Sequence, residues 1–116
     1  IAVLGGPGGA ERAMAAPVLA ALPQAVDLVG ALSLPEAAAV LRRAALFIGN
    51  DSGLMHLAAA AGAPTLGLFG QSDSREYGPC GPRAAAAIAD GEPLRTTMAA
   101  LPVERVVAAA TRLLAA

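Results

Sequence analysis

The chain has 116 residues, 56% of them hydrophobic and 3% aromatic, with a formal net charge of −1. That suits one domain with a largely alanine-built core, since alanine favours helices and close packing but buries little area per residue. The scarcity of aromatics, and arginines scattered without any lysine or basic stripe, argue against a nucleic-acid partner.

The chain starts on an apolar run, Ile1 to Leu4, with no methionine and no basic flank of a signal peptide, and reads as part of a longer protein. This run predicts a buried strand. Gly5-Gly6-Pro7-Gly8-Gly9 predicts a turn; it lacks the Gly-x-Gly-x-x-Gly spacing of a dinucleotide fingerprint, so a plain tight turn is favoured over a nucleotide contact. Glu11 to about Leu22 reads as a helix in which Pro17 should either make a kink or mark the true start. Val26 to Val29 predicts a short strand. Ser33, three residues before Glu36, has capping-box spacing, and Leu34, Ala37, Ala38 and Leu41 then recur at helical spacing. Arg42-Arg43 closes that helix as a solvated pair at the negative end of its dipole.

Leu46-Phe47-Ile48 predicts a buried strand, followed by a helix from about Ser52 to Ala61 that stops at Gly62 in the C′ position. Thr65 to Phe69 is the next strand. Gln71 to Arg83 reads as a Gly/Pro-rich loop, Ala84 to Ala89 as an ambiguous strand, and Val103 to Leu114 as the last helix. Alternating strands and helices predict an α/β fold, a Rossmann-like parallel sheet with helices on both faces. No apolar run reaches the length of about 18 residues that a membrane-spanning helix needs.

The strongest chemical signal is Asn50-Asp51-Ser52-Gly53-Leu54-Met55-His56, directly after a strand. Ligands of open parallel sheets bind beyond the strands' C-terminal ends, and a helix starting there presents unpaired N–H groups and a dipole that favours anions. Ser52, Gly53 and Leu54 would supply the donors, and Gly53, without a Cβ, would let phosphate oxygens approach the backbone. On these grounds alone, capping by Asp51 and Ser52 is an equally good account. His56 shares the face of Ser52 one turn on, where a structural role is the commoner one. No Cys, His or carboxylate cluster has metal-ligand spacing, so no tight metal site is expected. Cys80, the only cysteine, lies between Pro79 and Gly81 with no base nearby in sequence, which argues against a nucleophile and fits a reducing compartment. Asp73, Arg75 and Tyr77 lie in a loop beyond a strand end, a place where function often resides, though a solvated loop is as good an account.

The run Phe47 to Ala60, then Gly62-Ala63-Pro64-Thr65, then Leu68-Phe69-Gly70, resembles the hallmark of glycosyltransferase family 9, which includes the ADP-heptose:lipopolysaccharide heptosyltransferases. The family pattern is Asp-Ser/Thr-Gly-Leu/Pro-x-His-Leu-Ala-Ala-Ala, a Gly-x-Pro turn, then Leu-Phe-Gly-Pro-Thr-Asp. The resemblance implies a GT-B architecture, with this chain forming most of the C-terminal, donor-binding domain and the N-terminal acceptor domain lying outside it. It implies that Ser52, Gly53 and Leu54 hold the donor diphosphate, that Asp51 contacts the transferred sugar, and that His56 sits beside the diphosphate. Ala31 and Leu32 would lie against adenine, and Glu11 resembles an acidic residue that binds the ribose.

The implied reaction transfers a sugar such as heptose from an ADP-sugar, a substrate rather than a cofactor, to a lipopolysaccharide core acceptor with inversion. The implied location is the cytoplasm, at the inner face of the cytoplasmic membrane as a peripheral protein. The chain alone should be inactive, since the family's catalytic carboxylate belongs to the other domain. Gln71 and Ser72-Asp73-Ser74 depart from the family's Pro-Thr-Asp-Pro and leave donor and acceptor preference open. The alternatives are another GT-B enzyme, such as a nucleotide-sugar epimerase, and a non-catalytic nucleotide-binding α/β module.

Overall fold

In the computed structural model, which describes residues 1–50, 52–70, 83–90 and 97–115, the short apolar runs form parallel strands and the stretches between them form helices. Two units result, residues 1–37 and residues 38–116, with the division falling inside one helix.

In the first unit, strand β1 (Ala2–Gly5) leads through the glycine-rich turn into helix α1 (Gly9–Ala21) and then strand β2 (Val26–Val29). The strands pair in parallel, from Ala2 opposite Val26 to Gly5 opposite Val29. Helix α1 starts two residues before the position expected and runs straight through Pro17. A proline there removes one helical N–H, but Ala13, whose carbonyl loses its partner, and Pro17 are both exposed, so water can replace it. Gly8 caps α1 without a side-chain acceptor, which is why the sequence carries no start signal.

Helix α2 (Leu34–Arg42) opens with the predicted capping box: the Ser33 N–H donates to Glu36 Oε1 at 2.9 Å, and the Glu36 N–H donates to Ser33 Oγ at 3.3 Å. These bonds favour the carboxylate and hold the Glu36 carboxyl below its ordinary value.

The second unit is a three-stranded parallel sheet in the order β3 (Phe47–Asn50), β4 (Thr65–Phe69), β5 (Ala84–Ile88), with helices α3 (Gly53–Ala60) and α4 (Val103–Ala115). Strand β3 extends to Asn50, beyond the apolar run, because β4 supplies partners for Gly49 and Asn50 in Gly67 and Leu68. Strand β4 is buried along almost its whole length, the pattern of a strand covered on both faces. Leu66 and Leu68 share one face with Ala85 and Ala87, and this face packs on Leu101, Val106, Ala109, Ala110 and Leu113 of α4 and its lead-in. Thr65, Gly67 and Phe69 share the other face, which α3 covers with its fully buried Met55 and Ala58. Alanines of low strand propensity thus form β5, because pairing with β4 and contact with α4 outweigh local preference.

Helix α3 ends in a Schellman motif. The Gly62 N–H donates to the Ala59 carbonyl and the Ala63 N–H to the Ala58 carbonyl, both at 3.1 Å, and Gly62 takes a φ of 89° that side chains rarely adopt. The described part of the predicted 71–83 loop is Arg83, whose guanidinium donates to the Leu113 carbonyl at 3.1 Å and fastens the start of β5 to the end of α4.

Two other arginines make matching tethers. Arg12, in the first turn of α1, donates to the carbonyl of Val29, the last residue of β2, at 2.9 Å and pairs with Asp27. Arg105, in the first turn of α4, donates to the carbonyl of Ile88, the last residue of β5, at 2.7 Å and to Asp90 at 2.9 Å. Each fixes a helix start beside a strand's C-terminal end.

Beyond β4, Gly70 is buried against the backbone of a short 3₁₀ turn, Met98–Ala100; a Cβ at Gly70 would meet the Met98 backbone and sit 2.7 Å from the Thr97 carbonyl carbon. Backbone cannot give way as a flexible side chain can, so Gly70→Ala should destabilise by about 3 kcal/mol. Thermal melting of the full-length protein checks this; a melting temperature equal to wild type would show that the turn is free to move.

The Arg12 hydrogen bond, and then the Val29 N–H, hold the Asp27 carboxyl below its ordinary 3.8. A lowered folded-state value means that this contribution is present above the unfolded-state pKa and is lost as pH falls through the folded one. Asp27→Asn should therefore lower the melting temperature at about pH 7 by no more than a few degrees, both side chains of the pair being largely exposed, and the gap to wild type should close as melts are taken to lower pH.

Candidate functional site

The site is built where β3 hands over to α3. Ser52 is the N-cap, with extended backbone (φ −158°, ψ 166°) and Oγ accepting the Met55 N–H at 3.4 Å. The Ser52 carbonyl accepts the His56 N–H, also at 3.4 Å. The third and fourth N–H groups of the helix are thereby used within its first turn. The first two, on Gly53 and Leu54, have no protein acceptor among the described residues. A Cβ on Gly53 would have no described atom within 4 Å, and Gly53 does not adopt a positive φ. Two donors at the positive end of a helix dipole are thus left without an acceptor among the described residues, just past the C-terminal end of a parallel strand, a setting that suits an anion.

Met55, Ala58 and Ala59 turn inward and anchor the helix, whereas His56 lies on its exposed side. Asp51 lies outside the described residues, as do Asp73, Arg75, Tyr77 and Cys80. Among the described residues no group of three or more His, Cys, Asp or Glu side chains is placed to hold a metal ion.

The remaining sequence candidates lie in the first unit, Glu11 beside the end of β1 and Ala31 and Leu32 just past the end of β2. The Glu11 carboxylate lies over the glycine turn, 3.4 Å from where a Gly5 Cβ would be and 3.8 Å from a Gly6 Cβ. Beyond β2, the Gly30 N–H donates to the Gly5 carbonyl at 2.9 Å and the Ala31 N–H to the Leu28 carbonyl at 3.2 Å. Gly30 has a φ of 69°, and a Cβ there would stand 3.4 Å from Pro7 Cα. Glycine backbone at Gly5, Gly6 and Gly30 thus lies at these strand ends, with the Glu11 carboxylate beside it. Sequence reasoning missed Arg12 and Asp27 in the same unit; they lie 15 positions apart, with no local pattern to link them.

Residues 1–102 match the profile of glycosyltransferase family 9 (heptosyltransferase). The chain is 43% identical over 51 residues to lipopolysaccharide heptosyltransferase 3 of Escherichia coli, which covers 44% of this chain and 15% of that protein. It is 41% identical over 54 residues to lipooligosaccharide heptosyltransferase 2 of Haemophilus influenzae, covering 47% of this chain and 15% of that one. Among solved structures, a family 9 glycosyl transferase from Veillonella parvula superimposes with a TM-score of 0.83 at 27% identity, over 98% of this chain and 36% of that chain. The E. coli ADP-heptose LPS heptosyltransferase II does so with a TM-score of 0.75 at 25% identity, again over 98% and 36%. The chain thus spans about a third of the length of these solved relatives. In sequence and in fold, it belongs to glycosyltransferase family 9, the heptosyltransferase family.

Proposed function

We propose that the full-length protein transfers a sugar, a heptose in our reading, from an ADP-sugar to a lipopolysaccharide core acceptor with inversion, and that this chain holds the donor. The observation that carries the reading is the pair of N–H groups on Gly53 and Leu54, without a protein acceptor among the described residues, at the start of the helix that follows β3. The names of the similar heptosyltransferases support the choice of donor and acceptor.

In this reading an acceptor hydroxyl attacks the anomeric carbon, aided by a carboxylate from a separate N-terminal acceptor domain, and the bond to the diphosphate breaks. Negative charge grows on the departing diphosphate. Ser52, Gly53 and Leu54 receive that charge with donors already in place, so little reorganisation is needed as the bond breaks. Asp51 contacts the sugar and His56 lies beside the diphosphate. Glu11 accepts from the ribose hydroxyls, the role an acidic residue near a strand end takes in nucleotide sites. Ala31 and Leu32 lie against adenine. The acceptor lipid would bring the enzyme to the inner face of the cytoplasmic membrane as a peripheral protein. No described helix is long and apolar enough to cross a membrane.

Gly53→Val tests the diphosphate site. With no described atom within 4 Å of a Cβ there and no positive φ at Gly53, the fold should accept the side chain and the melting temperature should hold. The isopropyl group would crowd the phosphate oxygens, and ADP affinity measured by calorimetry on the full-length protein should fall at least about tenfold. Unchanged affinity in a stably folded variant would exclude the phosphate-holding role.

Asp51→Asn tests the sugar contact. Because Ser52 is the cap, the melting temperature should move by no more than about 2 °C, as for substitutions away from structural features. Sugar transfer per folded molecule should drop by about a hundredfold or more, the scale of losing one charge-stabilising group in a reaction centre. A variant that lost stability but kept its specific activity would make Asp51 structural.

A further inference from the structure

The tether at the end of β2 joins a buried strand residue to two largely exposed side chains. Val29 is held on both sides: its N–H donates to Asp27 Oδ1 at 3.1 Å, and its carbonyl accepts from Arg12 Nη2 at 2.9 Å. Arg12 Nη1 pairs with the other Asp27 oxygen, closing the ring of contacts. The peptide plane between Val29 and Gly30 is therefore fixed at both ends, its carbonyl by Arg12 and its N–H by the Gly5 carbonyl. Gly30 takes a φ of 69°, which side chains rarely adopt, and its orientation sets the course of Ala31 and Leu32.

Stability does not account for such an arrangement. The Arg12 and Asp27 side chains are 50% and 42% exposed, and ion pairs this exposed add little to folding. What the tether does fix is the direction in which the chain leaves β2. Arg12 also follows Glu11 directly, so one turn of α1 carries the carboxylate and also restrains the Ala31–Leu32 turn.

We propose that Arg12, acting through Asp27 and the Val29 carbonyl, is a positioning residue that sets the Gly30–Ala31 turn and so determines how strongly the protein prefers adenine over other bases. The proposal rests on the reading of Ala31 and Leu32 as the adenine contact. It requires arginine in particular, because its planar fork reaches a carbonyl and a carboxylate together, whereas a lysine ammonium has neither the fixed fork nor the reach of two separate nitrogens.

The experiment uses Arg12→Lys and Asp27→Asn in the full-length protein, with ADP and UDP titrated by calorimetry and melting recorded in parallel. Wild type is expected to bind ADP more tightly than UDP. Both variants should melt within a few degrees of wild type, lose roughly tenfold in ADP affinity, the scale of one charge-assisted hydrogen bond, and bind UDP nearly as before. A preserved ADP-to-UDP ratio, whether both affinities hold or both fall together, overturns the positioning role. Failure of both variants to fold assigns the pair to stability and overturns it as well. A wild-type protein with no preference for ADP overturns the adenine-contact reading beneath it, and with it this proposal.

Discussion

Parallel pairing is the constraint on which the other features depend. When one strand follows another in the same direction, the chain must return across the sheet between them, and a helix makes that return. Each such helix begins near the end where the preceding strand stopped. In the second unit, β3 and β4 run parallel from Phe47 opposite Thr65 to Asn50 opposite Leu68, and α3 starts just past Asn50. The Gly53 and Leu54 N–H groups therefore gather at the same end of the sheet as Gly70 and the start of α4. The first unit obeys the same rule: β1 ends at Gly5, α1 begins at Gly9, and Glu11 stands over the turn between them. Position relative to a strand end, more than residue type, separates these groups from the many similar ones elsewhere in the chain.

Much of this order was legible from local pattern. Val26–Val29 and Thr65–Phe69 were found with the bounds that their apolar runs predict. Ser33 and Glu36 bond as their spacing requires, and Gly62 sits in the left-handed conformation that a helix stop needs. What local pattern lacked is equally specific. The start of α1 was obscured because its cap is a glycine with no side chain to signal it. Gly49 and Asn50 joined β3 because of partners in β4, far along the chain. Ala84 to Ile88 became a strand through its neighbours, against alanine's own preference. At the candidate site, Ser52, Gly53 and Leu54 could be singled out because strand, loop and helix follow one another in sequence. The Arg12 tether to Val29 spans 17 positions and the Arg105 tether to Ile88 also spans 17, so neither leaves a mark on local composition.

The two tethers show how a chain without lysine uses its arginines. Each lies in the first turn of a helix, the end at which the dipole is least favourable to a cation. Each nevertheless takes a carbonyl at the end of a strand and a nearby aspartate. A helix start is thus locked to a strand end by a fork that spans both, in a rim region where apolar packing has little to offer. The cost of placing positive charge at a helix N-terminus is offset by the carboxylate that accompanies it.

The glycine pair Gly49 and Gly67 sits side by side in register on the face of the sheet under α3. A Cβ on Gly49 would lie 2.7 Å from the Phe47 ring, so the ring occupies the room that the glycine leaves. The layer between α3 and the sheet thus combines the Phe47 and Phe69 rings and Met55 with two bare backbone positions and the small side chains of Ala58 and Ala59. Height above the sheet is thus a heritable dimension of the protein: a methyl group gained at Gly49 would displace the Phe47 ring beneath α3, and a shift passed on to α3 would carry the Gly53 and Leu54 donors with it. Changes in ligand preference among relatives could accordingly arise in the interior, at residues that never meet a ligand, and be overlooked by any survey confined to the residues lining the site.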